Sequence, residues 1–199
     1  MGENCSAISR LIVHKDIREP LLRCLHKRLN DWKTGDPLNP ENHLGTLIDT
    51  KHCAKVKSYL SEGALSGGVM EGPYLSPTLY GDAPNNKRAQ EEIFGPVLSI
   101  ITADSDEATV KIANETDYGL TASVFSANTN RALRAARELR AGTVTVNCFG
   151  EGDITTPFGG YKHSGFGGRD NGLYAHDQYC EVKTIWIDLS DANERDRVS

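Results

Sequence analysis

Residues 97–147 read VLSIITADSDEATVKIANETDYGLTASVFSANTNRALRAARELRAGTVTVN and alternate between two kinds of pattern. Val97–Ile101 is a short apolar run of the kind found in a buried strand, and the residues at 105–116 predict a helix with acidic side chains in its first turn. Another strand, helix and strand are predicted at 122–125, 129–139 and 143–147. Strands that alternate with helices of this length predict an α/β fold with an open, mostly parallel sheet and flanking helices.

The residues before this stretch continue the same pattern. Ile8–Val13 predicts a strand, and apolar residues at helical spacing from Ile17 to Leu29 predict an amphipathic helix. A second helix is predicted from about Lys51 to Glu62, with short strands near Val69 and Leu79. These elements are expected to belong to the same layered α/β arrangement.

Composition excludes several classes of protein. The 199 residues include 38% hydrophobic and 25% charged residues, which is typical of a globular chain and not of a disordered one. Subtracting 27 acidic from 22 basic residues gives a net charge of −5, which disfavours nucleic acid and anionic membrane surfaces as partners. No apolar run is long enough to cross a bilayer, and the first residues lack a signal-peptide pattern, so we expect a cytoplasmic protein.

The five cysteines are odd in number and widely spaced. That pattern predicts neither a disulfide framework nor structural zinc, and the six histidines show no paired-ligand spacing, so no metal site is expected. Free thiols fit a reducing compartment, where most of them are expected to be small core residues.

Two segments near the C-terminus differ from the rest. Gly150–Gly172 is rich in glycine and predicts either a tight ordered loop or a mobile linker. Glu181–Ile187 alternates like a strand. Without a neighbour in its own chain, that strand would present unpaired amides to the sheet of another subunit, so a homo-oligomer is expected.

Three segments are candidates for chemistry. Cys5 lies in a polar, glycine-containing turn before the first predicted strand, where it is either a nucleophile or an exposed N-terminal thiol. Glu91–Pro96 places adjacent carboxylates and an aromatic residue before a buried strand, although spacing alone predicts only a loop. Pro157–Gly165 contains glycines, a lysine and a serine, but it lacks the spacing of a phosphate-binding loop.

Four motifs in register resemble the aldehyde dehydrogenase superfamily over nearly the whole chain. They are Glu92–Pro96 (EIFGP), Asn114–Ala122 (NETDYGLTA), Ala141–Asn147 (AGTVTVN) and Pro157–Gly165 (PFGGYKHSG). Within the superfamily, the stretches at 152–158, 168–170 and 183–187 look most like bacterial aminoaldehyde dehydrogenases, including those acting on γ-glutamyl-γ-aminobutyraldehyde.

The resemblance implies a catalytic role for Cys5. Gly2-Glu3-Asn4-Cys5 matches the family's Gly-Gln-x-Cys, with Glu3 in place of glutamine. In the family, the cysteine thiolate attacks the aldehyde, hydride passes to NAD or NADP, and water hydrolyses the resulting thioester. Cys5 is therefore the expected nucleophile.

The resemblance also implies roles for five other residues. Glu92 is expected to accept hydrogen bonds from the nicotinamide ribose, and Phe94 to pack beside the nicotinamide. Phe158 is expected to line the substrate tunnel. Glu151 and Asp153 are expected to attract the ammonium group of an aminoaldehyde, the alternative being a solvated acidic loop.

By the same resemblance, residues 1–175 correspond to the C-terminal part of the family's catalytic domain, and residues 176–199 to an oligomerisation strand with a polar tail. The dinucleotide cradle and the glutamate base have no counterpart here, so the chain alone is expected to be inactive. Two alternatives stay open: a cofactor-free cysteine esterase that uses Cys5 with His163 or His176, and a non-catalytic oligomerisation module that associates through Glu181–Ile187.

Overall fold

The computed structural model describes residues 1–150 and 152–189 as strands and helices joined by ordered loops. In chain order the elements are β1 (Arg10–His14), α1 (Lys15–Asp31), α2 (Thr50–Lys57), β2 (Met70–Glu71), β3 (Tyr74–Leu75), β4 (Thr78–Gly81), α3 (Lys87–Gln90), β5 (Val97–Ala103), α4 (Asp106–Asn114), β6 (Tyr118–Gly119), β7 (Thr121–Val124), α5 (Thr129–Glu138), β8 (Thr143–Val146), β9 (Tyr161–Lys162) and a 3-10 helix (Leu173–Tyr179).

The central sheet has three parallel strands in the order β1-β5-β4. Ile100 and Ile101 of β5 and Leu79 of β4 are almost completely buried. A strand buried on both faces needs a continuous apolar sequence, which explains the run at Val97–Ile101. The apolar residues of α1 pack against this sheet, whose central strand is therefore covered as the sequence predicts.

A second parallel pair, β7-β8, carries α5 against it. Two antiparallel pairs, β2-β3 and β6-β9, complete the sheets. The last of these places the described part of the glycine-rich segment, residues 152–172, beside the end of α4, so this part is a folded loop and not a linker. The predicted α/β fold class with an open, mostly parallel sheet is confirmed.

Helix α2 is shorter than predicted. It ends at Lys57, where the backbone N–H of Ser58 bonds to the carbonyls of Ala54 and Lys55. The residues that follow turn through Gly63, whose φ of 87° lies in the left-handed region that favours glycine. The apolar residues beyond Lys57 therefore contribute to the core from a turn and not from a helix.

Residues 180–189 form no strand in the structure, and their side chains are exposed. Val182 is 98% and Trp186 is 91% exposed. Glu181–Ile187 accordingly has no strand partner within the part of the chain that the structure describes, and its pairing with another subunit stays a prediction. Among the described helices, none is long and apolar enough to span a membrane.

Candidate active site

Cys5 lies in a tight turn directly before β1. The turn is closed by the N–H of Ala7, which donates to the carbonyl of Asn4 at 3.0 Å. The Asn4 side-chain oxygen also accepts from the N–H and the hydroxyl of Ser6, at 2.8 and 2.7 Å. Such local side-chain bonds stabilise a turn, and this one leaves the Cys5 thiol exposed.

The residues before Cys5 pack against the EIFGP motif. Gly2 has a φ of 74°, and a Cβ at this position would overlap the carbonyl oxygen of Gly95. Glu3 accepts a hydrogen bond from the N–H of Ile48 at 3.0 Å. Its carboxylate also lies 3.5 Å from Nε2 of His52, and the same nitrogen lies 2.7 Å from the carbonyl oxygen of Phe94. The segment that precedes the thiol and the Phe94 turn therefore form one packed unit.

The backbone of Phe94 is in an unusual conformation. Its φ of 62° lies in the left-handed region, which a bulky side chain rarely occupies. Such residues persist where surrounding contacts fix them, and they are frequent at functional sites. The conformation turns the chain sharply between Ile93, which is buried, and Val97, where β5 begins.

The two adjacent carboxylates have different environments. Glu91 accepts a hydrogen bond from the Tyr59 hydroxyl at 2.6 Å. Burial of Tyr59, together with this bond to a carboxylate, raises the pKa of the tyrosine to about 12. Glu92 is exposed and has no hydrogen bond or ion pair to any residue that the structure describes. Of the two, Glu92 is the carboxylate left available to accept bonds from a ligand.

Arg88 fixes the segment that leads into Glu92. Its guanidinium donates two bonds to the Asp82 carboxylate, at 2.7 and 3.1 Å, and lies over the Tyr80 ring. The Asp82 side chain is 1% exposed and also accepts from the Ser99 hydroxyl of β5 at 2.7 Å. This bidentate pair ties α3, and with it the Glu92 backbone, to the central sheet.

The C-terminal end of α4 joins distant parts of the sequence. Arg10 of β1 donates to the carbonyl of Ile112 at 2.7 Å, and Gln90 donates to the carbonyl of Glu115 at 2.9 Å. Lys162 donates to the carbonyls of Asn114 and Thr116, both at 2.7 Å. The cations among them, Arg10 and Lys162, donate to free carbonyls at this end of the helix and interact favourably with its dipole. The desolvation of Lys162 lowers the pKa of its amine.

Gly142 brings the third and fourth motifs into contact. A Cβ at this position would overlap the carbonyl oxygen of Gly159, while its own N–H bonds to the carbonyl of Gly119 at 3.0 Å. Only glycine allows this approach of two backbones. The second, third and fourth motifs therefore meet around the end of α4 and the loop that follows it.

The predicted substrate residues lie in the glycine-rich segment. Phe158 is half-buried and exchanges two backbone hydrogen bonds with Asp170, both of 2.7 Å. Asp153 accepts from the hydroxyl and the N–H of Thr155, at 2.6 and 2.8 Å, and these bonds lower the pKa of its carboxyl. Asp153 is therefore a turn-forming residue that keeps its negative charge. Glu151 lies outside the described residues.

No local sequence pattern marks His52, Tyr59 or Arg88. His52 and Phe94 are 42 positions apart and Tyr59 and Glu91 are 32 apart, whereas Arg88 and Asp82 are six apart. The candidate bases of the esterase alternative, His163 and His176, form no hydrogen bond with Cys5 in the described part of the structure. Within the same residues, no group of three or more histidine, cysteine, aspartate or glutamate side chains could hold a metal ion.

The fold is thus an open α/β sheet with an exposed thiol in the turn before its first strand, and the residues before this thiol pack against the Phe94 turn. The sequence model described as "Aldehyde dehydrogenase family" matches residues 1–185, and the chain belongs to this family. The resemblance predicted from the four motifs is thereby confirmed.

Known proteins support the assignment over nearly the whole chain. The chain is 52% identical over 198 residues to the aminoacetaldehyde dehydrogenase of Pseudomonas aeruginosa, covering 96% of this chain and 40% of the relative. The γ-glutamyl-γ-aminobutyraldehyde dehydrogenase of Burkholderia cenocepacia is 43% identical with a TM-score of 0.87, over 92% of this chain and 39% of that one. The indole-3-acetaldehyde dehydrogenase AldA of P. syringae, solved with NAD+ and IAA, is 44% identical with a TM-score of 0.88, over 94% and 40%.

The chain spans about two fifths of the length of these relatives. The comparisons confirm the fold class, and they agree with NAD or NADP as the cofactor of the family. The residues of this chain fit such a group, because an exposed carboxylate without a partner among the described residues, Glu92, lies two positions before the fixed aromatic residue Phe94.

Proposed function

We propose that this chain supplies the nucleophile and the nicotinamide contacts of an aldehyde dehydrogenase that oxidises an aminoaldehyde to the carboxylic acid. The observation that carries the proposal is the packing of the Cys5 segment on the Phe94 turn through Gly2 and Glu3. This packing supports the proposal because it connects the segment before Cys5 with the turn that carries Phe94.

The chemistry of the chain itself starts at Cys5. Its thiolate attacks the aldehyde carbon and forms a carbon–sulfur bond, and the carbonyl oxygen becomes an oxyanion near the N–H of Cys5. The bound dinucleotide supplies a hydride acceptor. The acyl group is then held on Cys5 as a thioester, and water releases it as the carboxylate with return of the thiol. Sulfur suits both steps, because it is a strong nucleophile and a good leaving group.

Glu92 and Phe94 are proposed to hold the nicotinamide end of NAD or NADP. A carboxylate accepts hydrogen bonds from both hydroxyls of a ribose, and Glu92 has no competing partner among the described residues. Phe94 is half-buried and has a fixed backbone, so it offers an aromatic surface that does not need to be ordered when the ligand binds.

An aminoaldehyde is the proposed substrate class. Asp153 keeps its charge because Thr155 stabilises the carboxylate, and Phe158 is held in place by its two bonds to Asp170. Asp153, together with Glu151, would attract an ammonium group, and Phe158 would contact the carbon chain. The 52% identity with an aminoacetaldehyde dehydrogenase supports this class.

Two further proposals concern assembly and location. Glu181–Ile187 is proposed to add as a strand to a second copy of the protein, because its apolar side chains are exposed and its backbone has no strand partner in the described residues.

A cytoplasmic location is proposed because the five cysteines are free thiols.

The proposed function can be tested in a hybrid enzyme. The matching two fifths of the aminoacetaldehyde dehydrogenase relative would be replaced by this chain, and aldehyde-dependent reduction of NAD and NADP would be measured. We expect turnover that Cys5→Ser abolishes and that Glu92→Gln reduces mainly through a higher KM for the dinucleotide. Cys24→Ser is the matched control and should leave turnover unchanged. A folded hybrid without turnover, or one that is active with Cys5→Ser, would contradict the proposal.

A further inference from the structure

His52 joins the segment before Cys5 to the Phe94 turn. It lies near the start of α2, and its side chain is 14% exposed, while that of Glu3 is 17% exposed. Nε2 of His52 lies 2.7 Å from the carbonyl oxygen of Phe94 and 3.5 Å from Oε1 of Glu3. One nitrogen atom is thus in reach of both segments.

The chemistry of the partners fixes where the proton is. A carbonyl oxygen only accepts, so His52 must carry a hydrogen on Nε2 to bond with Phe94. The Glu3 carboxylate, beside that N–H group, also accepts from the Ile48 N–H at 3.0 Å. Glu3 is therefore held from two sides, by the backbone before α2 and by the imidazole of α2.

The Phe94 conformation needs such contacts. A φ of 62° is sparsely populated for a bulky residue, and it persists only where the surroundings impose it. Three contacts hold it: the His52 bond, the edge-to-face packing of the His52 and Phe94 rings at 6.3 Å, and the close approach of Gly2 to the Gly95 carbonyl. Two of these three come from His52.

We propose that Glu3 and His52 are positioning residues that hold the Cys5 turn and the Phe94 turn together as one unit. The inference rests on the proposed roles of Cys5 and Phe94, but its physical content is a coupling between two turns. A loss of the contact on one side is transmitted to the other, because the same imidazole contacts both.

Amide hydrogen exchange of the full 199-residue chain tests this coupling. Three amides report on it: Ala7 in the Cys5 turn, Ile48 at Glu3, and Val97, which bonds to the Gly95 carbonyl at 2.7 Å. In His52→Ala we expect all three to exchange at least about tenfold faster, whereas Asp82, bonded to Ile100 in the central sheet, stays unchanged. In His52→Gln, whose amide nitrogen can reach the Phe94 carbonyl, the rates should return to within about threefold of the wild type.

The reactivity of the thiol provides a second readout. Alkylation by iodoacetamide would be followed by mass spectrometry of the Cys5 and Cys180 peptides, since both thiols are exposed. The ratio of the two rates should shift by at least about threefold in His52→Ala and return in His52→Gln. Tyr59→Phe is the matched control, because it removes one partly buried hydrogen bond, to Glu91, without removing a bond to the Phe94 carbonyl.

The outcomes separate this inference from the proposed function, because iodoacetamide needs neither aldehyde nor dinucleotide. An unchanged Cys5 to Cys180 ratio in folded His52→Ala, or an equal shift in Tyr59→Phe, would overturn the positioning role even if the hybrid enzyme is active. If His52→Ala fails to fold, Glu3→Ala replaces it, and faster exchange of Val97 is then the expected result. Wild-type exchange of Val97 in Glu3→Ala would overturn the inference.

Discussion

At the scale of single residues, the two neighbouring carboxylates Glu91 and Glu92 differ in their hydrogen-bond partners. The resemblance of the motif predicts a cofactor contact for Glu92, which stays a prediction, but it gives no role to Glu91, which the structure shows bonded to Tyr59. The role of Glu91 could not be predicted, because Tyr59 lies 32 positions earlier and no spacing rule connects the two. Local patterns report on neighbours in sequence, whereas this bond depends on tertiary packing.

Tyr59 should make stability depend on pH in alkaline solution. Its folded-state pKa is raised to about 12, first by burial and then by the Glu91 carboxylate, whereas an unfolded tyrosine titrates near about 10. The protonated hydroxyl therefore stabilises the fold fully below about pH 10, and this contribution is lost as the pH rises towards 12. Urea unfolding across this range should show a steeper loss of stability for the wild type than for Tyr59→Phe. Parallel curves would contradict the pKa assignment.

Gly142→Ala should destabilise the chain through one atom. The added Cβ would overlap the Gly159 carbonyl, and overpacking of this kind costs about 1–3 kcal/mol or more of unfolding free energy. Gly81→Ala is the control, because its Cβ would meet only ordinary contacts with the side chains of Leu65 and Arg18. Urea unfolding should show a clear loss for the first variant and none for the second. Equal stability of the two would show that the backbones do not approach as closely as described.

At the scale of elements, the sequence predicts the strands and helices well but not what joins them. The predicted strands at 97–101, 122–125 and 143–147 correspond to β5, β7 and β8, because apolar runs and helix caps are local signals. The four-residue helix α3 was not predicted, since one turn leaves no periodicity to detect. The contacts of Arg10, Gln90 and Lys162 at the end of α4 span 25 to 103 positions and also have no local signal.

Arg88→Ala should destabilise the protein far more than a surface substitution of the same type. It leaves the Asp82 carboxylate, 1% exposed, without its cation, and a buried charge stripped of its partner costs about 3–5 kcal/mol. Arg131→Ala breaks an ion pair with Asp106 whose side chains are 53% and 48% exposed, so only the small loss typical of a solvent-exposed ion pair is expected. Chemical denaturation of both variants gives the comparison. Similar losses would mean that the Asp82 network does not fix α3.

At the scale of the whole molecule, the described surface is unusually apolar after residue 172. Leu173, Tyr179, Val182 and Trp186 are all more than four fifths exposed, and exposed apolar patches generally mark interaction sites. The alternation of Glu181–Ile187 indicates strand propensity, but a strand forms only against a partner. Sequence can therefore predict the strand propensity of this segment but not its partner.

Association through the tail should depend on its backbone. Val182→Pro removes an N–H that a strand ladder needs, whereas Val182→Thr keeps the N–H and the branched shape. Sedimentation velocity over a range of concentrations should show association for the wild type and Val182→Thr, and a monomer for Val182→Pro. Association that persists in Val182→Pro would place the interface elsewhere.

The identity of the acylated residue is the decisive test for the proposed chemistry. The hybrid enzyme would be mixed with aldehyde and dinucleotide and quenched in acid during turnover, and its cysteine peptides would be analysed by mass spectrometry with and without hydroxylamine. The proposed mechanism predicts a hydroxylamine-sensitive acyl group on the Cys5 peptide and on none of the other cysteines that this chain contributes. An acyl group on a different cysteine, or full turnover without any acylation of Cys5, would contradict the role of this thiol as the nucleophile.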